Sequence, residues 1–100
     1  MTLLIVGSVR LPVDRIAAAR EAMLQMVAAS RAEDGCLDYS YAFDLVDEGL
    51  VRVCEAWRDQ AALDRHFASA HLHEWRACWT TFGIRERNLR MYDVGESRAT

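Results

Sequence analysis

The chain has 100 residues, 52 % hydrophobic and 27 % charged, with a formal net charge of −3. That length holds one domain around one modest core, and the absence of a basic block argues against nucleic acid as the main partner. Cys36, Cys54 and Cys78 have no CxxC spacing. An odd number of cysteines in apolar segments reads as buried free thiols in a reducing, cytoplasmic setting. The start, Met1-Thr-Leu-Leu-Ile-Val-Gly7, lacks a basic region before its short apolar run. It reads as a strand rather than a signal peptide, and no segment is long enough to span a bilayer.

Leu3 to Leu11 is apolar at nearly every position to Val9, which suits a central strand. Gly7 within it marks close approach by another backbone or a ligand, or clears room for a packed helix. Pro12 ends the strand and opens a helix running from Asp14 to about Ala32. Ile16, Ala19, Met23, Met26, Val27 and Ser30 form its stripe at 3.6 spacing. The two methionines are core filler or the lining of a pocket.

Glu33-Asp34-Gly35 stops that helix, with Gly35 in a left-handed cap or a turn just beyond. Cys36 to Asp44 alternates, placing Leu37, Tyr39, Tyr41 and Phe43 on one face. Such an aromatic row is a wall for a flat substrate, or simply core or interface. Asp47-Glu48-Gly49 is a hairpin turn. Val51 to Trp57 follows as a strand with Val51, Val53, Glu55 and Trp57 on one face. Asp59 then offers an N-cap to a short helix carrying Leu63, His66 and Phe67.

Ala68-Ser69-Ala70-His71 breaks this helix, and a second helical stretch runs to about Phe82 with Leu72, Trp75, Cys78 or Trp79, and Phe82 inward. Gly83 ends it. The last strand covers about Arg85 to Val94, where Arg85, Arg87 and Arg90 make a solvated edge or attract an anionic substrate. Residues 96–100 form a polar tail, leaving a single domain over 1–95.

The order strand, helix, strand, strand, helix pair, strand predicts an α+β, ferredoxin-like, four-stranded antiparallel sheet with helices on one face. The helices leave the other face bare, so an obligate homodimer, sheet against sheet, is expected.

The runs Glu33-Asp-Gly-Cys-Leu-Asp-Tyr39, Glu55-Ala-Trp57, Ala62-Leu-Asp-Arg-His66 and Ser69-Ala-His71 resemble the antibiotic biosynthesis monooxygenase (ABM) family across nearly the whole chain. The resemblance implies a dimeric α+β barrel with a pocket between sheet and helices in each protomer. Family members include cofactor-independent oxygenases of anthrones and quinols, haem-degrading oxygenases and isomerases of small phosphorylated ketones. The haem-degrading branch has a pocket tryptophan, matched here by Trp57. Its first-strand asparagine and its axial histidine fall here at Gly7 and Arg76, so haem is not expected.

Quinol or anthrone oxygenation needs a base, a donor to the developing oxyanion and a dry aromatic pocket. His66 or His71 is the candidate base, and Glu55 orients a histidine or is itself the base. Trp57, Tyr39, Trp75 and Trp79 are candidates to stack on a flat ring, and Tyr39 or Tyr41 to donate to the oxyanion. Each has a plainer role as core, cap or ion-pair partner. His66 and His71 with Glu55 match no metal motif, so no metal and no cofactor are expected. The expected ligands are a small aromatic molecule and dioxygen. A small-carbonyl isomerase and a non-catalytic binding module are the alternatives.

Overall fold

A computed structural model describes all 100 residues. Strand β1 (Thr2–Arg10) leads through a 3-10 turn (Val13–Arg15) into helix α1 (Ile16–Arg31). The hairpin β2 (Cys36–Phe43) and β3 (Leu50–Trp57) follows, then α2 (Gln60–Phe67), α3 (Ala70–Ala77), the single turn α4 (Trp79–Phe82) and β4 (Arg85–Val94). The sheet order is β2-β3-β1-β4 with every neighbouring pair antiparallel. This is the α+β ferredoxin-like arrangement expected from the element order. No helix is long and apolar enough to cross a membrane.

Register decides which residues share a face. Leu3, Ile5, Gly7 and Val9 stand opposite Trp57, Glu55, Val53 and Val51. All of these but Gly7 are buried, so this is the face the helices cover. Helix α1 closes over it with Ala19, Met23, Met26 and Ser30. Both methionines are therefore core. The opposite face carries Leu4, Val6 and Ser8 beside Ala56, Cys54 and Arg52, and no element packs over it.

Two glycines bring backbones together. A Cβ on Gly7 would stand 1.9 Å from the Asn88 carbonyl oxygen of β4. The close approach foreseen there is thus a neighbouring strand rather than a helix or ligand. Gly35 has φ +88°, and a Cβ there would lie 2.5 Å from the Ala62 methyl of α2. Only glycine lets the turn after α1 press against α2, and Gly35 sits in that turn rather than capping α1, which Ala32 does.

Other expectations are corrected. Leu37 drops out of the β2 row predicted for it: the β2–β3 register shifts between Cys36 and Asp38. The extra residue, Leu37, is 58 % exposed, as a bulge leaves one residue out of the ladder. Tyr39, Tyr41 and Phe43 keep one face, opposite Glu55, Val53 and Val51, with Phe43, at the end of the row, partly exposed beside α1. The helix predicted to Phe82 ends at Ala77, with Cys78 joining it to α4. Pro12 precedes the 3-10 turn instead of entering the helix. The three cysteines are free and half-buried rather than buried.

Candidate functional site

The site is assembled where the ends of three helices meet the covered face of β3. Asp59 caps α2, its carboxylate accepting from the Ala62 amide at 2.9 Å. Ala62, Leu63 and His66 then point inward at helical spacing. Ser69 stops α2 and starts α3: its hydroxyl donates to the His66 carbonyl at 2.6 Å and accepts from the Leu72 amide at 3.4 Å. The tight junction puts His71 in the first turn of α3, its ring centre 6.0 Å from that of His66.

One carboxylate ties the two imidazoles together. Glu33 Oε2 lies 2.6 Å from His66 Nδ1 and 2.8 Å from His71 Nε2. With Glu33 ionised, both rings donate to it, which fixes the proton of His66 on Nδ1 and leaves the Nε2 lone pair free. That Nε2 faces Glu55 Oε1 at 4.0 Å. The gap is too long for a direct hydrogen bond, but an atom off the line between them can reach both. Glu55 Oε1 is held from the other side by the Trp57 indole N–H at 3.0 Å. His66 and Trp57 are almost wholly buried, with ring centres 4.6 Å apart.

Burial pushes the Glu55 carboxyl above the usual range, opposed by the Trp57 hydrogen bond and by the neighbouring His66, Arg76 and Arg87. Burial likewise pushes both tyrosine hydroxyls up, so Tyr39 and Tyr41 remain neutral donors across the physiological range.

Glu55, His66, Tyr39, Tyr41 and Trp79 line a common cavity of about 30 Å³, together with Arg76 and Arg87. This has room for a water or two and falls far below the ~300 Å³ of a typical small-molecule pocket. Trp57 lies behind Glu55 as core. Trp75 and His71 face a separate groove of about 330 Å³ between α1 and α3, beside Met26 and Cys78. The structure thus brings five of the eight predicted site residues to one cavity and connects His71 to it only through Glu33. His73 is exposed and contacts the Phe67 carbonyl.

Glu33 was missed by sequence reasoning, which took Glu33-Asp34-Gly35 only as a helix stop. The available signal was a carboxylate beside a glycine that must pack closely. Glu33, His66 and His71 are also the residues that can hold a metal ion, their ligand atoms lying within 4.8 Å of one another. One carboxylate and two imidazoles suit zinc or ferrous iron. The expectation of no metal had weighed the two histidines with Glu55, whereas the fold groups them with Glu33.

Residues 2–77 match the sequence model of the antibiotic biosynthesis monooxygenase family. An uncharacterised protein of the cyanobacterium Synechocystis is 29 % identical over 72 residues, 72 % of this chain and 49 % of that protein. The Mycobacterium tuberculosis protein named putative monooxygenase Rv0793 is 36 % identical over 64 residues, 64 % of this chain and 62 % of its own length. The chain thus aligns with about half to three fifths of these relatives. Its fold is similar to a solved Deinococcus radiodurans structure named a putative antibiotic biosynthesis monooxygenase, with TM-score 0.89 and 22 % identity over 100 % of this chain and 98 % of that one. The solved structure of Rv0793 covers 100 % of both chains at TM-score 0.77 and 25 % identity.

Proposed function

The chain belongs to the antibiotic biosynthesis monooxygenase family, and within it we propose a cofactor-free oxygenation of a small quinol-, anthrone- or polyketide-like aromatic compound, with His66 as the base. The observation that carries this reading is the pairing of buried His66 with half-buried Glu33, which presents a free Nε2 to a cavity shared with Glu55 and two neutral tyrosines.

His66 Nε2 takes a proton from the acidic C–H or O–H of the substrate, and Glu33 stabilises the imidazolium through Nδ1. Tyr39 or Tyr41 donates to the oxyanion that forms. The electron-rich anion passes an electron to dioxygen, and the radical pair combines as a peroxide. For a methylene substrate, loss of water from the hydroperoxide leaves a carbonyl. One oxygen atom enters the product and the other departs as water, with dioxygen as the oxidant. The aromatic walls keep the anion away from bulk water.

The test is protein-dependent oxygen uptake with hydroquinones and anthrones in the presence of a chelator. Uptake above autoxidation is expected, and His66→Ala should lower it by ~10²–10⁴-fold. No uptake above autoxidation, or full activity in His66→Ala, would overturn the assignment. The small cavity favours a second reading, isomerisation of a small carbonyl compound by the same base, whose readout is proton exchange with solvent rather than oxygen uptake.

The unit of function in this proposal is a homodimer. Its support is the bare sheet face, where Val6 is 41 % and Tyr92 48 % exposed, and the edge strand β4, exposed at all but two of its positions. A second copy laid on this face would cover both.

A further inference from the structure

Arg76 comes to the cavity from α3 and Arg87 from β4, and both are exposed residues lining the same small space above Glu55 and His66. Neither guanidinium has a carboxylate within ion-pair distance. Arg10, Arg52, Arg58, Arg65 and Arg85 all do. Arg76 lies instead over the Phe67 ring, 5.9 Å from its centre, an aromatic support that leaves its N–H groups free. Glu55 is the only carboxylate that lines the cavity, and its Oε1 already accepts from Trp57. A third donor is idle: the Trp79 indole nitrogen is buried without a hydrogen-bond partner, and Trp79 lines the same cavity. A buried donor left unmade is costly unless something else supplies the acceptor.

Two unpaired cations and an unused N–H around a base describe a receptor for negative oxygen. We propose that the substrate carries an anionic oxygen group, a carboxylate or a phosphate, seated on Arg76 and Arg87 at the rim, with its acidic hydrogen directed inward to His66. The proposal rests on reading this cavity as the site, and it narrows the substrate class from neutral quinols to anionic aromatics. Arginine suits the role because its planar fork binds carboxylate or phosphate through two parallel hydrogen bonds. Anchoring at the rim also fixes which end of the molecule meets the base, as substrate positioning requires. At about 30 Å³ the cavity must widen to admit a ring. Phe67 and Arg76, both exposed and stacked at its rim, are the side chains free to move aside.

The test uses the full chain labelled with nitrogen-15 and titrated with salicylate, phenyl phosphate and the neutral isostere salicylamide. The expected result is that one or both anions bind at least ~10-fold more tightly than salicylamide and shift the Trp79 indole signal, identified by its loss in Trp79→Phe. Arg76→Gln and Arg87→Gln should each weaken the anion ~10-fold, the loss of a charge-assisted hydrogen bond, and leave salicylamide unaffected. The tighter anion distinguishes phosphate from carboxylate. Equal affinity for salicylamide, unaltered anion binding in both arginine variants, or no binding of either anion at millimolar concentration would overturn the proposal. His66→Ala separates the two readings: it should keep anion selectivity while losing oxygen uptake. If wild type selects anions yet consumes no oxygen with any substrate, the base assignment falls and the anion site stands.

Discussion

The two faces of the sheet are made by the same four strands and differ in what they meet. On the covered face the buried polar groups of the strand and helix are paired, Trp57 with Glu55 and His66 with Glu33, while the Trp75 and Trp79 indole N–H groups are left without a partner. On the bare face Leu4, Val6, Cys54 and Ala56 form an apolar centre next to Ser40, Arg52 and Arg90. The covered face can hold a carboxylate and an imidazole because Trp57 on the same strand and Glu33 in the turn after α1 supply hydrogen bonds beneath the apolar cover of the helices. The bare face has the pattern of an interface, apolar at its centre and polar at its rim. In the proposed reading one face would carry the chemistry and the other the association, with β3 common to both, alternating Val53, Glu55 and Trp57 inward with Cys54 and Ala56 outward.

The largest effect should come from the covered face. Trp57→Ala removes a fully buried indole and strips Glu55 of its donor, so a loss of about 3–5 kcal/mol is expected in urea unfolding. Trp57→Phe keeps most of the bulk and isolates the missing hydrogen bond, about 1–3 kcal/mol. A cost below 1 kcal/mol for the alanine variant would mean that Trp57 is not core. The bare face should respond differently. Val6→Arg stands beside Arg90 and adds a further positive charge to the proposed interface. It should leave thermal unfolding of the protomer within a few degrees and weaken dimerisation by ~100-fold or more, since juxtaposed like charges cost several kcal/mol. Light scattering after gel filtration would read this as a halved mass. A wild-type chain that is monomeric at micromolar concentration would end the division of labour between the faces.

The sequence made one side of this contrast readable. Period-two alternation placed Val51, Val53, Glu55 and Trp57 together, and Asp59 announced α2, because both signals lie within a few residues of the structures they specify. Glu33 could not be placed that way. Its partners are 33 and 38 residues further along the chain. The contact depends on Gly35 allowing the turn to touch Ala62, a packing event with no local periodicity. The bulge at Leu37 is equally silent, since alternation in sequence continues straight through it. Arg87 was legible as a cation on an exposed strand. That it shares a cavity with Arg76 follows only from β4 lying beside β1 while α3 packs above.

The smallest effect expected is also the one with the least obvious sign. Glu55 is the polar residue of the covered face whose charge the fold disfavours, because burial outweighs its hydrogen bond from Trp57. Its pKa is raised in the folded state, so the native protein binds more protons than the unfolded chain between the two values. Stability therefore falls as pH rises from the ordinary carboxyl range through the folded pKa of Glu55. Glu55→Gln removes that penalty and keeps an oxygen that can accept from Trp57. At pH 8 the variant should melt above wild type, and the difference should shrink as pH falls, vanishing near pH 4. Thermal melts of both proteins across this range give the answer. A variant less stable than wild type at pH 8 would show that the ionised carboxylate is held by more than Trp57, with His66 and the rim arginines outweighing burial, and the contrast between the faces would then rest on ion pairing as much as on packing.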